Sequence, residues 1–171
     1  LSGSTTITGT SGTLYEFYGI PSSITEISSG AFSRNKTVKA IAFEENSTLS
    51  AINADTFYFS SLEYIEIPAS VTSIQARAFD GASSLKEVIF EEGSKLEEIG
   101  NDAFSILTMT EFTIPKSVKR IGRSAFGMDV YLERVIFEEG TEIESIDEYA
   151  FDNDFSLKSI EFIDPASSTP P

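Results

Sequence analysis

The sequence predicts a solenoid of about seven right-handed coils, mostly β-structure with short helical turns, in which parallel strands stack into one sheet. A strand pattern of the form apolar-x-x-apolar-x-apolar recurs along the chain, and an Ala-Phe step recurs with it. The phenylalanines of that step are separated by 25, 22, 25, 22 and 25 residues. A fixed period of this size is typical of stacked repeats, which bury their apolar faces only against their neighbours. The steps are Ala31-Phe32, Thr56-Phe57 (the one variant), Ala78-Phe79, Ala103-Phe104, Ala125-Phe126 and Ala150-Phe151.

The first thirteen residues, LSGSTTITGTSGT, differ from the repeats because they are rich in Ser, Thr and Gly. Residues 1–13 are therefore either a linker or a cap. In the second interpretation, Thr5 to Thr8 form a short strand that covers the exposed end of the stack, as terminal repeats of solenoids require.

The repeats fill residues 14–163, and each begins with a strand pattern whose last two apolar positions alternate with polar or variable ones. This period of two is that of a half-buried strand. Seven such strands at about 4.8 Å spacing make a coil roughly 30 Å long. The patterns are Tyr15/Tyr18/Ile20, Val38/Ile41/Phe43, Leu62/Ile65/Ile67, Leu85/Val88/Phe90, Met109/Phe112/Ile114, Leu132/Val135/Phe137 and Leu157/Ile160/Phe162.

After the strand, short and long repeats alternate. In the short kind, Pro21, Pro68 or Pro115 directly follows the strand and ends it, since proline has no N–H to donate. In the long kind, one equivalent position holds Asn46, Gly93 or Gly140. Glycine exchanging with asparagine there predicts a left-handed turn residue.

Each repeat then presents two apolar residues three apart, such as Val71 and Ile74, which predict the return wall of the coil as a short strand or an irregular turn. The Ala-Phe step follows, where we expect a short helical turn. Small alanine lets coils approach closely, while each phenylalanine fills the interior for roughly 1.5–3 kcal/mol when fully buried.

Composition excludes several functions. The formal charge of −15 argues against binding nucleic acid or an anionic membrane surface, since both need Lys and Arg to replace counterions. The chain has no cysteine and no histidine, so thiol chemistry, zinc sites with nitrogen or sulfur ligands and the commonest general base are missing. No run of apolar residues approaches the roughly 20 needed to span a bilayer. We therefore expect no enzyme, no catalytic residues, no cofactor and no metal.

The repeat resembles the BspA-like (treponemal-type) leucine-rich repeat. Ile67-Pro68-Ala69-Ser70-Val71-Thr72-Ser73-Ile74 and Ala78-Phe79 match that family's pattern, as do Ile114 to Ile121 with Gly122 and Ala125-Phe126. The resemblance covers about Tyr15 to Phe162. The chain departs from the family at its cysteine position, which is held here by Asn35, Ser60, Ala82, Leu107, Asp129 and Asp154.

The resemblance implies an α/β-type leucine-rich-repeat solenoid with the parallel sheet on its concave face. It also implies an extracellular, cell-surface protein of bacteria or of parasitic protists that takes part in adhesion. The implied partners are proteins or glycans on host or neighbouring cells, with matrix proteins such as fibronectin as one possibility.

Charged residues form two further patterns. Glu44-Glu45, Glu91-Glu92 and Glu138-Glu139 recur every 47 residues. Successive pairs would lie roughly 10 Å apart, too far for one calcium ion, which holds its oxygens at about 2.3–2.6 Å. We therefore expect a solvated acidic rim that attracts basic ligands. Lys116, Lys119, Arg120 and Arg123 form a basic island, either a solvated face or a contact to a neighbouring acidic rim.

The outward strand positions are the predicted ligand-binding site, because they form a continuous exposed sheet. Apolar residues at some of these positions indicate either a partner site or ordinary surface scatter. The candidate residues are Phe17, Tyr64, Glu66, Glu87, Ile89, Glu111, Thr113, Arg134 and Ile136.

The expected function is non-catalytic recognition or adhesion at the cell surface through the concave sheet. Two alternatives stay open: a rigid spacer in a larger surface protein, or an accessory module of a surface enzyme. The last residues, 164–171, are rich in Pro, Ser and Thr and are interpreted as a linker.

Overall fold

The chain winds through six turns between seven long strands in the computed structural model, which describes residues 5–8 and 14–163. The predicted solenoid of stacked parallel strands is confirmed. In chain order the strands are β1 (Thr5–Thr8), β2 (Leu14–Ile20), β3 (Ala40–Phe43), β4 (Ala51–Ile52), β5 (Tyr64–Ile67), β6 (Ser73–Ile74), β7 (Glu87–Phe90), β8 (Glu98–Ile99), β9 (Glu111–Ile114), β10 (Arg120–Ile121), β11 (Arg134–Phe137), β12 (Ser145–Ile146) and β13 (Ser159–Phe162).

The long strands form two sheets in place of the single sheet expected. The first runs β1-β2-β3-β5-β7 and the second β13-β11-β9, and every pairing is parallel except that of β1 with β2. The expectation of a continuous sheet is therefore wrong between β7 and β9. Part of the reason lies in Pro115, which follows β9 and offers no N–H to the preceding coil. Pro68 after β5 has a similar effect, since β3 and β5 share only two register pairs.

The return wall is a third parallel sheet, of two-residue strands in the order β12-β10-β8-β6-β4. The apolar pairs thus form short strands, one of the two predicted alternatives. The second residue of four of these strands is buried: Ile52, Ile74, Ile99 and Ile121.

The Ala-Phe segments are successive β-turns, so the expected helical turns are wrong, and the described residues contain no helix. Left-handed residues interrupt each segment, for example Arg77 (φ 55°) before Ala78-Phe79 and Gly81 (φ 68°) after it. Backbone N–H groups alternate between local and inter-coil acceptors: Ala78 N donates to Gln75 O (3.2 Å), whereas Phe79 N donates to Ala103 O (2.8 Å). An α-helix would bond all of these groups within one segment, whereas this arrangement uses half of them to join coils.

The phenylalanines of the repeat form one stacked column through the solenoid. Neighbouring ring centroids lie 4.9–5.5 Å apart and the rings are within 16° of parallel. The four central rings are at most 1% exposed. The column therefore forms the centre of the core, as the sequence predicts, and its members are Phe32, Phe57, Phe79, Phe104, Phe126 and Phe151.

The predicted left-handed turn position of the long coils is confirmed. Asn46 has φ 61°, Gly93 φ 77° and Gly140 φ 76°. A Cβ built on Gly93 meets no atom within 4 Å, so a substitution there tests backbone conformation alone.

We expect Gly93→Val to lower the free energy of unfolding by about 1–2 kcal/mol, because a β-branched residue is strained in the left-handed region. Gly93→Asn is the matched control and should cost only a few tenths of a kcal/mol, since asparagine tolerates that region. Urea unfolding followed by circular dichroism measures both. Equal stability of the valine variant and the parent would contradict a left-handed requirement at this position.

The two ends of the solenoid differ. At the start, β1 pairs antiparallel with β2, as the cap interpretation expects for Thr5 to Thr8. At the other end, within the part of the chain that the structure describes, β13 pairs only with β11, and the Phe162 and Ile163 side chains are exposed. The linker interpretation of residues 164–171 falls outside the described residues, as does that of residues 1–4 and 9–13.

Candidate interaction surface

The strand registers bring the predicted site residues into two rows on the concave face. Ala40 lies opposite Tyr64 and Tyr64 opposite Glu87, while across the gap Glu111 lies opposite Arg134. In the second row Glu66 pairs with Ile89 and Thr113 with Ile136. Phe17 is opposite Ala40 in the backbone register, and its side chain lies outside the described residues. The rows follow the predicted columns, but the division between β7 and β9 interrupts both.

The first half of the concave face is largely closed. Ala40 is 0% exposed and Tyr64 6%, and these two residues form a small apolar cluster against which Ile89 packs. Glu87, beside Tyr64 in the register, is 9% exposed. The expected solvent exposure is therefore wrong for Tyr64 and Glu87, because side chains on this half pack against one another. Burial and the nearby Glu91 carboxylate raise the pKa of Glu66 above its usual value.

The second half of the face is exposed and charged. Arg134 lies between two glutamates, with Nη1 2.7 Å from Glu111 Oε2 and Nη2 3.0 Å from Glu161 Oε2. Ser159 Oγ also donates to Glu161 Oε1, at 2.8 Å. The hydrogen bond from Arg134, followed by that from Ser159, lowers the pKa of Glu161. We call Glu111, Arg134 and Glu161 the ion-pair row. Thr113 is exposed beside it, and Ile136 is half-buried.

A cleft lies where the two concave sheets part. Its volume is about 460 Å³, and the consecutive residues of β7 and β9 line it from both sides. A second hollow of about 360 Å³ adjoins it and shares Phe90 and Glu138 as lining residues. The predicted candidates Glu87, Ile89, Glu111 and Thr113 all lie in the walls of this β7–β9 cleft. Apart from the proline after β9, no residue pattern in the sequence indicates this cleft directly.

In the predicted acidic rim, one glutamate of each pair has a structural role. The first glutamate of each pair accepts the N–H that follows the proline of the preceding short coil: Ser22 N to Glu44 Oε2 at 3.1 Å, Ala69 N to Glu91 Oε2 at 2.9 Å and Lys116 N to Glu138 Oε2 at 3.0 Å. These are the glutamate–amide bonds. The second glutamates, Glu45, Glu92 and Glu139, are exposed, and together with the exposed Glu44 they form the solvated part of the rim.

The basic island is partly exposed to solvent, as the first of its two interpretations expects, and its ion pairs are with acidic side chains of adjacent coils that lie outside the acidic rim. Lys119 Nζ lies 2.9 Å from Glu97 Oε1 and Arg120 Nη2 lies 2.9 Å from Asp147 Oδ2. Arg123 pairs with Glu148 at 3.5 Å, and its guanidinium lies over the Tyr149 ring at 5.1 Å. These pairs join adjacent coils on the return-wall side.

Three aspartates are partly or fully buried near the end of the Ala-Phe turns. Asp129 is 3% exposed, and burial raises its pKa to about 8, although Leu107 N donates to its Oδ1 at 2.6 Å. Asp129 N in turn donates to Asp154 Oδ1 at 2.8 Å. Burial also raises the pKa of Asp80 and of Asp154 to about 6. Two of these positions, 129 and 154, are the family's cysteine position, so the departure noted in the sequence places carboxyl groups inside the fold.

Comparison with protein families identifies the repeat. The family model for a BspA type leucine-rich repeat region matches residues 11–133 and 50–169, in six copies. A search of curated proteins finds no match to this chain. Among the described residues no helix has the length and apolarity needed to cross a bilayer.

Solved structures share the fold. The crystal structure of the pneumococcal vaccine antigen PcpA aligns with a TM-score of 0.65 at 26% identity, over 92% of this chain and 54% of that one. A leucine-rich repeat protein from Bacteroides ovatus aligns with a TM-score of 0.62 at 24% identity, over 91% of this chain and 43% of that one. The chain thus spans about half the length of the solved proteins that it resembles.

Proposed function

Because this chain belongs to the BspA type leucine-rich repeat family, we propose that it is a non-catalytic recognition module of a cell-surface protein and binds a protein partner through its concave face. The observation that supports this most is the ion-pair row, which exposes side chains of alternating charge on neighbouring strands at the fixed spacing of a parallel sheet. Such a row gives a partner charge-assisted contacts without large rearrangement of the scaffold. The similarity to a pneumococcal antigen supports the surface location.

The rigid spacer is the second candidate, and the core supports it. The stacked phenylalanine column and the inter-coil hydrogen bonds make every coil depend on its neighbours. A spacer needs this stiffness but makes no use of an exposed charged row. The two functions are therefore separated by changing the row without changing the core.

The test is an interferometry screen of the protein against fibronectin, fibrinogen, collagen and cell-surface glycans, at low and physiological salt. A variant with Glu111→Ala, Arg134→Ala and Glu161→Ala should bind the captured partner at least tenfold more weakly, because the charged contacts are lost. The matched control is Glu97→Ala with Lys119→Ala, which removes an exposed ion pair on the return-wall side and should change affinity less than twofold.

Three results contradict the proposal. Absence of binding to every partner favours the spacer. Unchanged affinity of the ion-pair-row variant removes the concave face as the site, and binding to glycans alone replaces the protein partner with a carbohydrate.

A further inference from the structure

The β7–β9 cleft is the one place in the described concave face where adjacent long strands do not pair. The strand pairs β5–β7 and β9–β11 on either side each have four register pairs, whereas β7 and β9 belong to different sheets. The coils nevertheless stay in contact elsewhere at this boundary. On the return wall β8 pairs with β10, and the Phe79 and Phe104 rings stack at 4.9 Å. The opening is therefore confined to the concave side.

The pairing pattern of the outer neighbours shows which backbone groups face the cleft. On β7, Glu87 N and Glu91 N donate to the β5 coil, at Glu63 O and Ile67 O. On the far side of β9, Thr110 O and Ile114 O accept from the β11 coil. Backbone groups of a strand alternate between its two neighbours. The backbone groups of Val88 and Phe90 on one wall, and of Glu111 and Thr113 on the other, consequently point into the cleft.

The side chains that line the cleft are apolar at its floor and mostly polar or charged toward its opening. Val88, Phe90 and Phe112 form an apolar floor, with the last two rings in an edge contact at 6.2 Å. The outward-facing residues of the two walls are Glu87, which is only 9% exposed, Ile89, Glu111 and Thr113, and Glu138 also lines the cleft. Three lining side chains are acidic and one, Lys86, is basic; among the acidic ones, Glu111 also pairs with Arg134 and Glu138 accepts from Lys116 N. A ligand that fits this arrangement has backbone donors and acceptors, small apolar side chains and positive charge.

We propose that the β7–β9 cleft binds an extended peptide segment with alternating basic and small apolar residues, which pairs with the open strand edges as an added β-strand. This inference rests on the proposed function, because it assigns the recognition surface a subsite and a ligand class. Backbone pairing to a sheet edge supplies affinity, and alternate side chains supply specificity. The volume of about 460 Å³ falls within the roughly 300–1,000 Å³ of ligand-binding clefts.

The probe is the acetylated and amidated hexapeptide Lys-Val-Lys-Val-Lys-Val, with a fluorophore for polarisation measurements. Two control peptides have the same length and differ from it in one feature each. In the first, the valines are N-methylated and cannot donate backbone hydrogen bonds; in the second, glutamate replaces lysine. We expect the parent peptide to bind saturably and each control peptide at least tenfold more weakly. Equal binding of the N-methylated peptide would overturn strand addition, and equal binding of the glutamate peptide would overturn the charge assignment.

An engineered disulfide localises the site. The protein has no cysteine, so an Ile89→Cys/Thr113→Cys variant has a single possible intramolecular disulfide, and it lies across the cleft. The reduced variant should bind the hexapeptide. The oxidised variant should bind it at least tenfold more weakly, because the disulfide then holds β7 and β9 together. Equal binding in both states would place the peptide elsewhere.

Hydrogen exchange of the unmodified protein tests the open edges without any variant. The Val88 and Thr113 amides should exchange at least tenfold faster than their counterparts in the paired strand β11, Val135 and Ile136. Protection equal to those counterparts would show that the edges are closed and would overturn the inference. If the protein captures a partner in the interferometry screen but does not bind the hexapeptide, the cleft assignment alone is refuted. If the protein binds the hexapeptide but captures no partner, the proposed function alone is refuted.

Discussion

Phe104→Ala is expected to lower the free energy of unfolding by about 3–5 kcal/mol, the range for removal of a fully buried aromatic ring. Phe104 is 0% exposed and contacts three other rings: Phe79 at 4.9 Å, Phe126 at 5.5 Å and Phe112 at 4.8 Å. The cavity left by the substitution lies in the middle of the column, where rings on both sides lose a stacking partner. Urea unfolding followed by circular dichroism measures the loss.

The matched control is Phe155→Ala, because Phe155 is 84% exposed and should contribute less than about 0.5 kcal/mol. A loss below about 1 kcal/mol for Phe104→Ala would contradict a close-packed column. Coils in a solenoid are coupled only to their neighbours, so the variant should also broaden the transition by separating the two ends of the chain.

Asp129→Asn is expected to stabilise the protein at alkaline pH by between about 1.5 and 5 kcal/mol, since one pKa unit corresponds to about 1.4 kcal/mol. Burial raises the pKa of Asp129 from 3.8 to about 8, with further upward contributions from Asp154 and Asp80. The folded state therefore binds a proton more tightly than the unfolded state. The protonated carboxyl contributes its full stabilisation below pH 4, and this contribution is lost as the pH rises toward 8.

The measurement is urea unfolding of the parent and of Asp129→Asn at pH 4.5, 6, 7.5 and 9. The two proteins should be nearly equal in stability at the lowest pH and should diverge steadily up to about pH 8. Asparagine keeps the acceptor for Leu107 N, so the variant removes the charge and not the hydrogen bond. Glu92→Gln serves as an exposed control that removes one negative charge from the rim. Parallel stability curves for the parent and Asp129→Asn would contradict a neutral carboxyl at this position.

Repetition explains what could be predicted from the sequence. Six Ala-Phe steps identified the phenylalanine column, and the exchange of Gly93 and Gly140 with Asn46 identified the left-handed position. The expected helical turns were wrong because the left-handed residues that prevent them include Arg77, Ile106 and Met128, residue types that do not signal such a conformation. The backbone N–H of each of these residues donates to the next coil, and the pattern of a single repeat does not reveal such a bond.

The candidate site was predictable in its rows but not in its exposure. Alternation along each strand predicted that Tyr64 and Glu111 lie on the same face. The register agrees on each side of the gap, since Tyr64 lies opposite Glu87 and Glu111 lies opposite Arg134. Whether such a residue is covered depends on its neighbours in the row. Tyr64 lies beside Ala40 and packs with it, whereas Glu111 lies beside Arg134 and stays in solvent. The division between β7 and β9 is likewise a property of two coils together.

The glutamate–amide bonds define how this kind of chain can change in length. Each joins a long coil to the short coil before it, so that β2 with β3, β5 with β7 and β9 with β11 form three bonded couples. Between couples a proline follows the later strand, and pairing falls to two register pairs at β3–β5 and to none at β7–β9. Duplication or deletion of one whole couple, 47 residues, leaves every such bond intact, whereas loss of one coil leaves either a glutamate or an amide unmatched. The couple is thus the smallest unit whose gain or loss preserves every glutamate–amide bond, and the weakly paired boundaries are the junctions between couples.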